Sequence, residues 1–156
     1  MEYEIDVYSK KTVIAFEGIR NTYYRDHLGK GTIGIGHLVN PITEKNLINA
    51  TIDNKTIDEI YIQDASIRAA WINKNCKWED PIKKNEGDAL LSFLWQYHID
   101  DPDYANTKAA IKSGDRGKIV KQMMQFVNSK AGNGDNKMLK RREREINLFT
   151  GGKYPF

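Results

Sequence analysis

The 156-residue chain suits one domain or two closely joined lobes, and its 40% hydrophobic and 29% charged residues are the balance of a soluble globular protein. A formal net charge of +3 favours anionic polymers, cell wall and nucleic acid alike, while no apolar stretch approaches the roughly 20 residues that a membrane-spanning helix needs. The single cysteine, Cys76, excludes an internal disulfide, and His27, His37 and His98 lack the paired spacing of a zinc site, so no metal is expected.

Met1 to Lys10 has neither the basic start nor the apolar centre of a signal peptide, which predicts synthesis in the cytoplasm and export, where needed, by another system. Residues 1–8 read as extended or as the start of a helix. Lys10 to Phe16 reads as a short helix that Gly18 ends, presenting Glu17 at its carboxyl end. Two extended runs follow, joined by the turn Gly29-Lys30-Gly31. Strand alternation after that turn predicts Thr32, Gly34 and Gly36 on one side and Ile33 and Ile35 on the other. Glu17, Asp26 and Thr32 are thereby brought together beside a slim polar surface that could admit a sugar.

Asn40-Pro41 marks a turn before an Asn-rich stretch. From Ile57 to Asn75 the spacing predicts a helix long enough to join two lobes, with Ile57, Ile60, Tyr61, Ile67 and Trp71 as its stripe. Asp64 falls on that stripe, where a charge needs a partner, and His37 is the candidate. Lys84 to Tyr97 is the most hydrophobic helix and should be central, with a polar edge of Asp88, Ser92 and Gln96 expected to meet water or ligand. Asp100 to Asp103 reads as a turn and Ala105 to Lys112 as a short helix stopped by Ser113-Gly114. Asp115 then caps a helix whose apolar face is Ile119, Val120, Met123, Met124 and Val127. Ala131 to Gly134 reads as a flexible connection. The last helix, from about Asn136 to Phe149, turns Met138, Leu139, Ile146 and Phe149 inward and closes at Gly151-Gly152. Its run Lys140 to Glu145 is by default a solvated face of alternating charge, without the aromatic platform of a nucleic-acid binder.

Two carboxylates facing each other across a gap are what glycoside hydrolysis needs, one protonated to donate to the leaving oxygen and one ionised to activate water or attack the sugar. Glu17 follows the apolar run Val13 to Phe16, which favours the neutral acid, whereas Asp26 lies among Arg25, His27 and a turn, which favours the anion. The pair by itself also fits an ordinary hairpin with surface charges.

The spacing of Glu17-Gly-x-Arg20, Tyr24-x-Asp26, Gly29 and Thr32-Ile-Gly-x-Gly-His37 resembles the catalytic signature of the bacteriophage-type lysozymes, glycoside hydrolase family 24. The resemblance continues more weakly in Gln63-Asp64, Ser92-Phe93-x-Trp95-Gln96, Ser113-Gly-Asp115 and Leu139-x-Arg141-Arg142-x-x-Glu145, and covers roughly residues 8 to 150. It implies an α+β, mostly α-helical, two-lobe fold in a single domain spanning residues 1–156. Its parts would be a small hairpin lobe at about residues 17–56, a connecting helix at 57–75, and a helical lobe of 80–156 joined by the amino-terminal helix.

The resemblance further implies a muramidase that cleaves peptidoglycan with inversion, with Glu17 as general acid and Asp26 and Thr32 positioning or activating water. By the same resemblance Gly36, Leu38, Trp95 and Gln96 would bind substrate, His37 and Asp64 would tether the hairpin lobe to the long helix, and Arg141, with Arg142 as its competitor, would hold Glu17. A cation there opposes the effect of burial on the acid. Tyr97-His98-Ile99 departs from the family pattern, in which a glycine follows soon after the Trp-Gln pair. No cofactor is expected, the partner is peptidoglycan rather than nucleic acid, and the chain is expected to act as a monomer. The rival readings are a lytic transglycosylase and a non-catalytic wall-binding module on the same fold.

Overall fold

The computed structural model describes residues 2–26, 28–96, 104–126 and 137–156, with Lys137 described by its backbone alone. Helix α1 spans Val7–Glu17. It starts where Asp6 accepts hydrogen bonds from the backbone N–H groups of Tyr8 and Ser9 while the Ser9 hydroxyl accepts from the Asp6 N–H, a reciprocal cap. The segment before it is extended and docked. Tyr3 exchanges two hydrogen bonds with the Asn73 side chain, and its ring lies so close to Gly87 that a Cβ there would meet it at 2.1 Å.

Strands β1 (Arg20–Arg25), β2 (Gly31–Gly34) and β3 (His37–Leu38) form one antiparallel sheet in that order. The expected alternation beyond the turn holds only as far as Gly34. Gly34 and Gly36 adopt φ of +67° and +59°, so the chain reverses through Ile35 and Gly36 instead of running on as a strand. Ile35 is buried at this bend, as are Thr32 and Ile33 in the strand before it. A short 3-10 turn, Lys45–Leu47, follows, and Thr22 bridges to Thr51.

Helix α2 runs from Asn54–Asn75, capped by Asp53 on the Thr56 N–H. Its inner stripe is Ile57, Tyr61, Ala65, Ala69 and Ile72; Ile67, expected on it, is 58% exposed. Helix α3 (Lys84–Gln96) is the centre of the molecule, packed by α1, α2 and helix α6 (Lys137–Gly151), and its Ala89, Leu90, Leu91 and Phe93 are essentially inaccessible. Tyr97 lies outside the described residues. Helix α4 (Ala105–Ser113) ends at Gly114, whose left-handed backbone sits against Trp78, and Asp115 caps α5 (Arg116–Met124) on the Lys118 N–H. Ile119 and Met123 of α5 are buried, whereas Met124 is largely exposed. Val127, the turn at 100–103, the connection at 131–134 and Asn136 lie outside the described residues.

The polar edge of α3 turns out to face protein. Asp88 is wholly buried and accepts from Tyr3, Ser9, Lys84 and Tyr154; Ser92 donates to Glu145; the Gln96 amide meets Arg142 and Met138. The charge run of α6 is likewise split rather than solvated throughout. Arg141, Arg142 and Glu145 share the buried side with Leu148 and Phe149, leaving Lys140, Glu143 and Arg144 outside. Ser92 and Gln96 of α3 thus meet Glu145 and Arg142 of α6, which offsets part of the cost that each stripe would carry alone. Among the described residues no helix is long and apolar enough to cross a membrane.

Candidate active site

Glu17 is the last residue of α1, and Gly18, with φ of +73°, turns the chain away immediately after it. The group that meets its carboxylate comes from α6: Arg141 Nη1 lies 2.8 Å from Glu17 Oε1. Arg141 is itself fixed. Its Nη2 donates to the Ser92 carbonyl at 3.1 Å, its Nε approaches Glu145 Oε2 at 3.4 Å, and its guanidinium lies over the Phe16 ring. Burial works against its charge, but Glu17 and Glu145 outweigh that and raise its pKa. Arg142, the competitor for Glu17, pairs with Glu145 and Gln96 instead.

The other oxygen of Glu17 lies beside Gly36, where a Cβ would come within 2.6 Å of Oε2. Gly36, expected among the substrate-binding residues, is thus packed on the Glu17 carboxylate itself. Its lack of a side chain makes room for the carboxylate.

Asp26 is held locally. Its Oδ1 accepts from the backbone N–H groups of Leu28 and Lys30 at 2.9 and 2.8 Å, and its own N–H donates to the Lys30 carbonyl. Among the described residues Oδ2 takes no hydrogen bond; His27, its neighbour, lies outside them. Thr32 pairs across the sheet with Tyr24 on one side and Leu38 on the other, and its hydroxyl donates to the Lys30 carbonyl at 3.1 Å. The same turn therefore orients both Asp26 and Thr32. Leu38 is 53% exposed at the end of this row.

Trp95 and Gln96, expected to line the saccharide cleft, are engaged internally. The Trp95 ring is buried, stacked by Tyr61 and covered by the Arg68 guanidinium, and its indole N–H donates to the Ile35 carbonyl at 3.2 Å. Trp95 thereby braces the bend that carries Gly36, a core role that its flat, amphipathic ring serves as readily as sugar stacking.

His37 Nδ1 lies 2.8 Å from Asp64 Oδ2, the pairing expected of it. Its Nε2 also meets both oxygens of Glu44 at 3.0 Å. Burial pulls the imidazole pKa down, but Asp64 and then Glu44 push it further up, so the net shift is upward. Glu44 has no assigned role in the sequence, and Ser92 and Glu145, though part of the motifs, are not legible there as the seat of Arg141. A signal existed for Glu145, which stands four residues after Arg141 on one helical face; Glu44 offered only its place after Asn40-Pro41, whose turn it closes through Asn40.

No curated protein matches the chain at a significant level. Among solved structures it resembles the endolysin from Escherichia coli O157:H7 phage FAHEc1, with TM-score 0.76 and 19% identity over 100% of this chain and 99% of that one. It also resembles the muramidase domain of SpmX from Asticaccaulis excentricus, with TM-score 0.75 and 20% identity over 96% and 99% of the two chains. The active form of the P1 phage endolysin Lyz superposes with TM-score 0.71 and 19% identity, over 94% of this chain and 85% of that one. At such identities these likenesses speak to the fold. The phage lysozyme family model matches residues 14–145, from the helix that carries Glu17 to the buried Glu145, and on that match the chain belongs to the phage lysozyme family.

Proposed function

We propose that this chain, a peptidoglycan hydrolase of the lysozyme class by family, is a muramidase that cleaves the β-1,4 bond between N-acetylmuramic acid and N-acetylglucosamine with inversion. The observation that carries the reading is the ion pair of Glu17 with Arg141, a buried cation that holds one carboxyl oxygen and leaves the other beside the bare backbone of Gly36. In this reading Glu17 Oε2 carries the proton to the leaving glycosidic oxygen. Asp26, clamped through Oδ1, offers Oδ2 to the attacking water and takes its proton, while the water oxygen bonds to the anomeric carbon. Because the Thr32 hydroxyl spends its hydrogen on the Lys30 carbonyl, its lone pairs are left to accept from that same water. The hairpin lobe and the helical lobe close on the glycan, Leu38 contacts it, and the His37–Asp64 pair keeps the two lobes in register. The protein acts on the cell wall as a monomer without cofactor.

The test is mass spectrometry of fragments from purified peptidoglycan treated with wild type and with Glu17→Gln. Reducing muramic-acid ends from the wild type alone are expected. Anhydro ends would make the protein a lytic transglycosylase, and no fragments from either protein would leave a wall-binding module.

A further inference from the structure

The strand register puts a further side chain among the residues of the site. Tyr24 is the direct cross-strand partner of Thr32, so their side chains share a face of the sheet, and Thr32 in turn pairs with Leu38. Tyr24, Thr32 and Leu38 therefore form one row across the sheet, with Asp26 two residues beyond Tyr24. Tyr24 is half-buried. After burial itself, the charge of Glu17 is the largest influence on its phenol and raises its pKa; Arg20 opposes it, and Asp26 adds a smaller upward effect. Both carboxylates of the site thus act on the phenol, which is an O–H at neutral pH.

Arg20 decides how such a ring can be used. Its guanidinium lies over the Tyr24 ring, 4.3 Å from the centroid. That face is not offered to a sugar for stacking, and the hydroxyl edge is the polar group that the ring can present to a ligand, in the same row as the Thr32 side chain.

We propose that Tyr24 is a substrate-contacting residue: its hydroxyl donates a hydrogen bond to an oxygen of the N-acetylated glycan held between Glu17 and Thr32, with Arg20 fixing the ring from its face. This deepens the muramidase reading and rests on it. The role is hydrogen bonding rather than stacking, and that separates two variants. Tyr24→Phe keeps the ring and its Arg20 contact but removes the donor; Tyr24→Leu removes both.

The experiment measures binding without turnover. Glu17→Gln serves as parent, and a chitin hexasaccharide is titrated into it, into Glu17→Gln with Tyr24→Phe, and into Glu17→Gln with Tyr24→Leu, with thermal melts to confirm that each is folded. Tyr24→Phe is expected to weaken binding about five- to tenfold, the worth of one hydrogen bond, with an unchanged melting temperature, and Tyr24→Leu no less. In the active background Tyr24→Phe should raise KM by a similar factor. Binding of Tyr24→Phe within twofold of the parent overturns the proposal, as does a loss confined to Tyr24→Leu, which would make the ring a stacking or packing element. A parent that binds no hexasaccharide and a wild type that yields no wall fragments would overturn the muramidase reading, a result distinct from either of these.

Discussion

Glu17 and Asp26 sit at opposite ends of the first hairpin strand and are held by opposite means. Asp26 is gripped by N–H groups two and four residues further along its own turn. Glu17 is met by Arg141 from the last helix, which is itself seated on Ser92 of α3 and Glu145 of α6. The first arrangement forms wherever the turn forms. The second exists only once α1, α3 and α6 have packed, so Glu17 is set by the global fold and Asp26 by a local one.

The difference is sharpest if Arg141 is removed. Arg141→Met keeps most of the side-chain volume but strips the cation from Glu17 and leaves Glu145 with Arg142 and Ser92 alone. Loss of one partner from a buried ionic cluster costs about 3–5 kcal/mol. Urea unfolding of this variant should show a loss of that order, with wall hydrolysis abolished. A variant as stable as the wild type would mean that Arg141 touches Glu17 without supporting it. Arg141→Lys should recover little, because an ammonium cannot reach Glu17, Ser92 and Glu145 with the fork that the guanidinium provides.

Asp26→Asn is the matching change on the local side. The amide oxygen can still accept from Leu28 and Lys30, so the turn should survive, with stability within about 0.5 kcal/mol of the wild type. Activity should nevertheless fall by about a hundredfold or more, because an amide cannot take a proton from water. Equal and small effects on both would return Asp26 to a turn residue.

What the sequence disclosed follows the same division. The turn at Gly29-Lys30-Gly31, the caps at Asp115 and Gly114, and the end of α1 at Gly18 are short-range and were legible from residue chemistry. The reversal at Ile35 and Gly36 was not, since Gly-x-Gly is compatible with a continued strand until both glycines are seen at positive φ. Nor was the inward side of the α6 charge run. An Arg-Arg-x-x-Glu pattern on a helix is normally solvated, and only the facing polar stripe of α3 makes its burial affordable. Those two stripes were each visible in the sequence; that they face one another is a tertiary fact. Trp95 shows the same limit, because its position next to Gln96 does not reveal that Tyr61 and Arg68 cover its ring.

His37 lies between these extremes, tied by Glu44 within its own lobe and by Asp64 across to α2. The imidazole meets a carboxylate at each nitrogen, so the doubly protonated form satisfies both, and its folded pKa stands above the roughly 6.5 of an unfolded histidine. A group raised in this way contributes its full stabilisation below the unfolded value and loses it as pH climbs through the folded one. Stability in urea should therefore decline as pH rises from about 6.5 through the higher folded value. Glu44→Gln removes one carboxylate while retaining a hydrogen-bonding side chain; it should lower the folded pKa and flatten that decline, with the difference from wild type largest at the acidic end. An NMR titration of His37 gives the same answer at a single site, its midpoint falling in Glu44→Gln and again in Asp64→Asn. Parallel stability curves for wild type and Glu44→Gln would show that the local contact adds nothing to the tether through Asp64.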